Sequence, residues 1–92
     1  MIFDKEIVET QAEKLKSISH PIRLSIVKGL IQDGYCNVNG IKDKLDLPQS
    51  TVSQHLQVLR NAGIVKGEKD GTIVNYRVID EKIEELIESL DK

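Results

Sequence analysis

Between Pro48 and Gly63 two kinds of chemistry share one short stretch. Val52, Leu56 and Leu59 recur at spacings of four and three, the repeat of one helical face. The positions turned away from that stripe are Gln49, Ser50, Thr51, Ser53, Gln54, Gln57 and Asn61, all amides and hydroxyls. No acidic residue occurs between Leu47 and Gly67. Exposed helix positions ordinarily favour Glu, Lys and Arg, the better helix formers, so a Ser/Thr/Gln face gives up helicity for another use. Base edges in a major groove fit that use. A glutamine amide matches the N6/N7 edge of adenine, worth about 1–3 kcal/mol of discrimination, and Ser or Thr hydroxyls reach phosphates or base edges. The free N–H groups at a helix N-terminus favour phosphate oxygens as well. The plainer alternative is an ordinary solvated face.

A second group lies downstream. Lys66 and Lys69 flank Asp70-Gly71, and Tyr76 and Arg77 follow on the return segment. Lysines at a hairpin tip reach phosphates or a minor groove; equally, they keep an edge strand from pairing with another chain. Arg23 and Lys28 upstream could add backbone contacts. His20 precedes Pro21 and reads as a residue that starts a helix, whereas His55 falls between the two faces of the Pro48–Gly63 segment. No nucleophile–base pair, phosphate-cradling loop or metal cluster can be drawn, so an enzyme is not expected, nor is a cofactor. Cys36, the single cysteine, fits three roles: a small buried hydrophobe, a redox- or electrophile-sensing thiol helped by Lys42 or Lys44, or a crosslink between two chains.

The elements that must position these groups follow from periodicity. Ile7, Val8, Ala12, Leu15 and Ile18 predict an amphipathic helix over about 3–18. Pro21 opens a second helix, with Ile22, Ile26, Val27 and Leu30 on its apolar face, closed by Asp33-Gly34. Val38 suits a short extended piece, and Asn39 an N-cap for a third helix that turns Ile41 and Leu45 inward. After Leu47-Pro48 comes the fourth helix, ending at Gly63. The period then shortens: 64–69 and 72–78 read as two strands joined by Asp70-Gly71, a strong hairpin signal when both central residues take positive φ. Ile83, Leu86, Ile87 and Leu90 trace a closing helix over about 80–91. The expected class is mainly α with a small β-hairpin, in the order α-α-α-α-β-β-α. It forms one domain over 1–92, with a helix-turn-helix at about 38–62 and a wing at about 64–78.

The chain has 92 residues, 39% hydrophobic and 30% charged, as in an ordinary globular domain. It carries no apolar run long enough for a membrane span and no basic-then-apolar leader, and its one cysteine excludes an intrachain disulfide, so a cytoplasmic protein is expected. Net charge is −2, yet its distribution matters more than its sum. Residues 16–78 hold nine Lys/Arg against five Asp/Glu, while both ends are acidic. Phosphate binding needs a local positive surface. A core this small leaves the stripes of the terminal helices poorly covered, which favours pairing with a second copy.

Two stretches carry a family resemblance. Leu15–Val27 (LKSISHPIRLSIV) resembles the opening of the second helix in the ArsR/SmtB family, and Leu47–Val65 (LPQSTVSQHLQVLRNAGIV) is similar to that family's recognition helix and its exit. The likeness covers about 15–90. It implies a winged helix-turn-helix homodimer joined through its first and last helices, which binds an imperfect inverted repeat in promoter DNA as a repressor released by a signal. By that resemblance Gln49, Ser50, Thr51, Ser53 and Gln54 face the groove, the wing near Lys69 and Gly71 follows the backbone, and His55 supports the recognition helix or touches phosphate. The sequence departs from the family's metal sites. Asn37-Val38-Asn39 occupies the place of the cysteine motif near the third helix, and 79–92 lacks histidine. Amides are poor ligands for the ions that motif binds, so no transition metal is expected, and the effector is not named by any residue. Two alternatives stand beside a metal-independent repressor. One is the same regulator gated by a Cys36 thiol; the other is a winged-helix protein-interaction module that reads no DNA. The second should expose aromatic or large aliphatic anchors, and the chain has only Phe3, Tyr35 and Tyr76 as aromatics.

Overall fold

A computed structural model describes residues 1–91. Its elements run α1 (Lys5–Ile18), α2 (Pro21–Asp33), β1 (Cys36–Asn37), α3 (Val38–Leu45), α4 (Gln49–Asn61), β2 (Val65–Asp70), β3 (Ile73–Val78) and α5 (Glu81–Leu90). Most helix starts are written in short polar side chains. Asp4 Oδ1 accepts from the Glu6 and Ile7 N–H groups at α1, and Asp80 Oδ1 does the same for Lys82 and Ile83 at α5. At α2 the cap is His20, whose Nδ1 accepts from the Ile22 N–H at 3.1 Å, with Pro21 in the first turn.

Three expectations need correction. Asn37, not Asn39, caps α3: its Oδ1 accepts from the Gly40 N–H at 2.8 Å, so Val38 is already helical and the extended piece is Cys36–Asn37. That piece is a third strand, pairing antiparallel with β3 through Cys36↔Tyr76 and Asn37↔Asn75, in a sheet of order β1-β3-β2. The wing turn also shifts by one residue. Asp70 pairs with Ile73, so Gly71-Thr72 form the loop. Only Gly71 there has positive φ, at 66°, as the first central position of a II′-type turn requires.

The core is one cluster in which α4 supplies Val52, Leu56 and Leu59, all buried, beside Ile26, Val27 and Leu30 of α2 and Ile64 and Val65 at the start of the wing. α4 packs on α1, α2, α3 and β2, so its orientation is set from several sides. Its exit is fixed by a Schellman pair, Gly63 N–H to Arg60 C=O and Ile64 N–H to Leu59 C=O, with Gly63 at φ 75°. α1 and α5 differ from this. Ile18, Ile83 and Ile87 are buried, but Ile7 and Leu15 remain 55% and 48% exposed and Leu90 64%. Between the two helices lies an open groove of about 680 Å³ lined by Ile7, Leu15, Ile83 and Leu86.

Candidate nucleic-acid interface

α4 begins after a three-residue turn in which Asp46 takes the left-handed conformation (φ 53°) and Pro48 occupies the N-cap. Proline offers no side-chain acceptor, and no side chain caps α4, whereas Asp4, His20, Asn37 and Asp80 cap the other helices. The first-turn N–H groups of α4 are therefore left for water or an external acceptor. Around them Gln49, Ser50, Ser53 and Gln54 are exposed. Thr51 is half-buried at the edge of this face. The C-terminal end is already occupied: Arg60 Nη2 donates to Gln57 Oε1, and Gln57 Nε2 donates to Asn61 Oδ1, both at 2.8 Å. Gln57, expected to point freely outward, is thus tied along its own helix.

His55 is half-buried and faces α2. Arg23 Nη1 lies 3.2 Å from its Nδ1, and the His20 ring sits 4.7 Å away, centre to centre. A guanidinium has no acceptor, so Nδ1 carries the lone pair and the proton sits on Nε2. Burial first, then the positive fields of His20 and Arg23, pushes the His55 imidazole below its ordinary value of 6.5. Arg23 also donates through Nε to the Ser17 carbonyl at 2.6 Å. Arg23 is thus built into the fold, and Lys28 is paired with Asp91 at 2.8 Å. No local pattern announces the Arg23–His55 contact, because its partners are 32 residues apart.

On the wing, strand alternation separates the lysines. Lys66 lies opposite Arg77 and shares its face with Glu68 and Asn75, while Lys69 shares the other face with Val74 and Tyr76. Both lysines and Gly71 are exposed. Arg77 is ion-paired with Glu68, and that hydrogen bond holds the Glu68 carboxyl below its ordinary 4.5. Gly67 opposes Tyr76 because nothing larger fits: a Cβ there would lie 2.9 Å from Val74 Cγ1 and 3.1 Å from Tyr76 Cε1. The ring braces the base of the hairpin.

A short turn between α3 and α4, a buried stripe behind an uncapped polar face, and a hairpin at the exit make a winged helix-turn-helix. The family model for the bacterial regulatory proteins of the arsR family matches residues 20–66, from the cap of α2 through α4 to the first wing strand. The chain belongs to the ArsR family. An HTH-type transcriptional regulator of Methanocaldococcus jannaschii is 41% identical over 95% of this chain and 98% of its own length. The crystal structure of the transcriptional repressor PagR of Bacillus anthracis superposes with a TM-score of 0.88 at 39% identity, over 95% of this chain and 99% of that one. A homodimeric winged helix-turn-helix DNA-binding domain from Mycobacterium bovis gives 0.86 at 26% identity, over 98% and 84%. The fold is that of the ArsR-family winged helix, with β1 added to the expected hairpin. The protein is a DNA-binding transcriptional regulator of the repressor kind, and its relatives are regulators, not enzymes.

Within that family the remaining residues take definite places. Asn37 spends its side chain on capping α3. Among the described residues no group of three or more His, Cys, Asp or Glu could hold a metal ion. Asp80, the N-cap before α5, is committed to Lys14 at 2.5 Å and to that cap. Burial pushes its carboxyl up, but the Lys14 ammonium and the Ile83 and Lys82 N–H groups outweigh that and hold it below 3.8. Cys36 is half-buried against the core, its Sγ so close to Gly40 that a Cβ there would meet it at 2.5 Å. Lys44 is ion-paired with Asp33, and Lys42 lies 3.4 Å from Asp43, so both cations expected to activate the thiol already have carboxylate partners.

Proposed function

We propose that two copies join through α1 and α5, as a homodimer, and lay their α4 helices into successive major grooves of an imperfect inverted repeat in promoter DNA. The observation that carries this is the first half of α4: an uncapped helix start ringed by exposed Gln49, Ser50, Ser53 and Gln54, in a helix that contains no acidic residue. N–H groups and hydroxyls would take phosphate oxygens, and the two amides would take base edges, adenine best. Thr51 would complete the edge of the contact. His55 supports the helix from behind. Gln57 would reach the groove only by releasing Arg60 and Asn61. Lys66, Lys69 and the Gly71 turn would follow the backbone as a wing, and Arg77 would join them only by leaving Glu68. The helix-turn-helix spans about 38–62 and the wing about 64–78 of a single domain.

The exposed apolar stripes of α1 and α5 support the pairing, since joining them removes Ile7, Leu15 and Leu90 from water. Repression acts here without a transition metal, because an asparagine that caps a helix replaces the thiolates, and it takes place in the cytoplasm beside the promoter. A protein-interaction module is the weaker reading, as the exposed start of α4 offers no aromatic or large aliphatic anchor. A salt titration on promoter fragments and on mixed duplex tests the proposal. Expected are a dimer by sedimentation, a selected fragment bound in preference to mixed duplex, steep weakening of both with salt, and no response to zinc or chelator. A monomer with salt-insensitive, unselective binding overturns it.

A further inference from the structure

The Arg23–His55 contact is absorbed by neither DNA reading nor pairing as described so far. Arg23 stands in the first turn of α2 and reaches two ways. Its Nε donates to the Ser17 carbonyl in the last turn of α1, at 2.6 Å, and its Nη1 donates to His55 Nδ1 in the middle of α4, at 3.2 Å. Ser17 is buried, and its own hydroxyl bonds back to the Glu13 carbonyl at 2.7 Å, so the α1 end of the bridge is anchored. The α4 end is anchored by the buried neighbour Leu56 and braced by the His20 ring 4.7 Å away. One planar side chain with a fixed fork of donors thus ties the helix assigned to pairing to the helix assigned to reading.

We infer that Arg23 is a positioning residue for operator recognition, whose guanidinium sets the angle of α4 against α1, and that this bridge opens in acid when His55 gains a proton. The inference rests on the proposed reading in which α4 enters the groove. Its chemistry is simple. Only neutral His55 accepts from Arg23; protonation at Nδ1 converts the acceptor into a donor and sets two cations against each other. The charged and titratable groups facing His55 are Arg23 and His20, both from the start of α2; α1 presents there the Ser17 carbonyl, which Arg23 already holds. Among the described residues no carboxylate is paired with His55 to offset the new charge. Since burial first, and then the electrostatic influence of His20 and Arg23, hold the imidazole below 6.5, the bridge is intact at neutral pH and fails in acid. A paired promoter would lose selective binding, because two α4 helices with loosened angles no longer match two half-sites at once.

The test compares wild type, Arg23→Met and His55→Asn between pH 8 and pH 5 by fluorescence anisotropy on a selected promoter fragment and on mixed duplex. For wild type the ratio of the two affinities should be flat at high pH and fall in acid. Arg23→Met keeps the apolar stem and should lower the ratio by about tenfold at neutral pH, with a flat profile. His55→Asn supplies an acceptor near the Nδ1 position that does not titrate, so its acid decline should vanish. A second readout needs no DNA: by NMR the His55 imidazole should titrate at higher pH in Arg23→Met than in wild type, with thermal melts reporting whether the variant is folded. Wild-type ratios and profile in both variants, or an unmoved His55 titration, overturn the bridge. If wild type selects no fragment while the His55 titration still moves, the bridge stands as structure, and both the groove reading and the positioning role fall.

Discussion

Two surfaces of this regulator leave a helix face in water, and they could hardly be less alike. The outer face of α4 shows amides and hydroxyls without formal charge over its first two turns. The outer faces of α1 and α5 show Ile7, Leu15, Leu86 and Leu90 among acidic residues. An apolar stripe costs free energy in water, about 25 cal/mol per Å², and lowers it by meeting another apolar stripe. An uncharged polar face gains nothing from a second copy of itself, but it matches the donors and acceptors of a groove edge. The acidic ends are repelled by phosphate, and the net-positive middle is not. On the proposed reading, the contrast gives one surface to self-association and the other to DNA.

The sharpest way to break that contrast is to charge the apolar face. Ile7→Asp with Leu15→Asp should yield a folded monomer by sedimentation and weaken operator binding about 100-fold or more, because linked half-site binding is lost. A stable dimer with full affinity would mean that α1 is not the pairing surface. Gln54→Ala acts on the other face. It should weaken selected-fragment binding by about 1–3 kcal/mol and relax preference at one base pair per half-site, while leaving the dimer intact; unaltered preference in a selection experiment removes Gln54 from base contact.

Asp80→Ala lies between the two surfaces and should cost about 1–2 kcal/mol of stability through the α5 cap alone, read in a denaturant melt. Its pH signature has a definite sign. The folded carboxyl is held below 3.8, so its contribution is present above that value and lost as the pH falls through the depressed folded value. The variant should therefore differ from wild type at neutral pH and converge with it in strong acid. The smallest effect is expected at the wing. Lys69→Ala should reduce the salt slope of binding by about one unit, and Arg77→Ala by less, since Arg77 already has Glu68 as its partner. Equal slopes for the two variants would show that the Glu68 pair opens on DNA.

What the sequence made legible was whatever repeats. The stripe Val52-Leu56-Leu59 marked both α4 and the face opposite it, and Pro21, Pro48 and Gly63 punctuated the chain where the structure does. What stayed hidden was pairing at a distance. Two residues, Cys36 and Asn37, cannot display an alternating pattern, so β1 becomes visible only once Tyr76 and Asn75 lie alongside. Asn37 and Asn39 are both good caps in isolation, and the choice between them depends on that same strand. Asp70-Gly71 and Gly71-Thr72 differ by one residue of register, which the Asp70↔Ile73 pair decides. The partners of Arg23, Lys28 and Arg77 come from other elements or another strand, which no local spacing displays.

The account stands or falls on whether the start of α4 touches base edges in the major groove, twice per dimer. The most direct measurement is a scan of a selected operator with 7-deazaadenine, which deletes the N7 acceptor one position at a time, assayed by anisotropy with wild type and Gln54→Ala. The account predicts loss of affinity at adenines in two symmetry-related positions spaced by roughly one helical turn or a multiple of it, and no such loss at the Gln54-dependent positions in the variant. An operator bound with undiminished affinity at every substituted adenine by the wild-type dimer would contradict it.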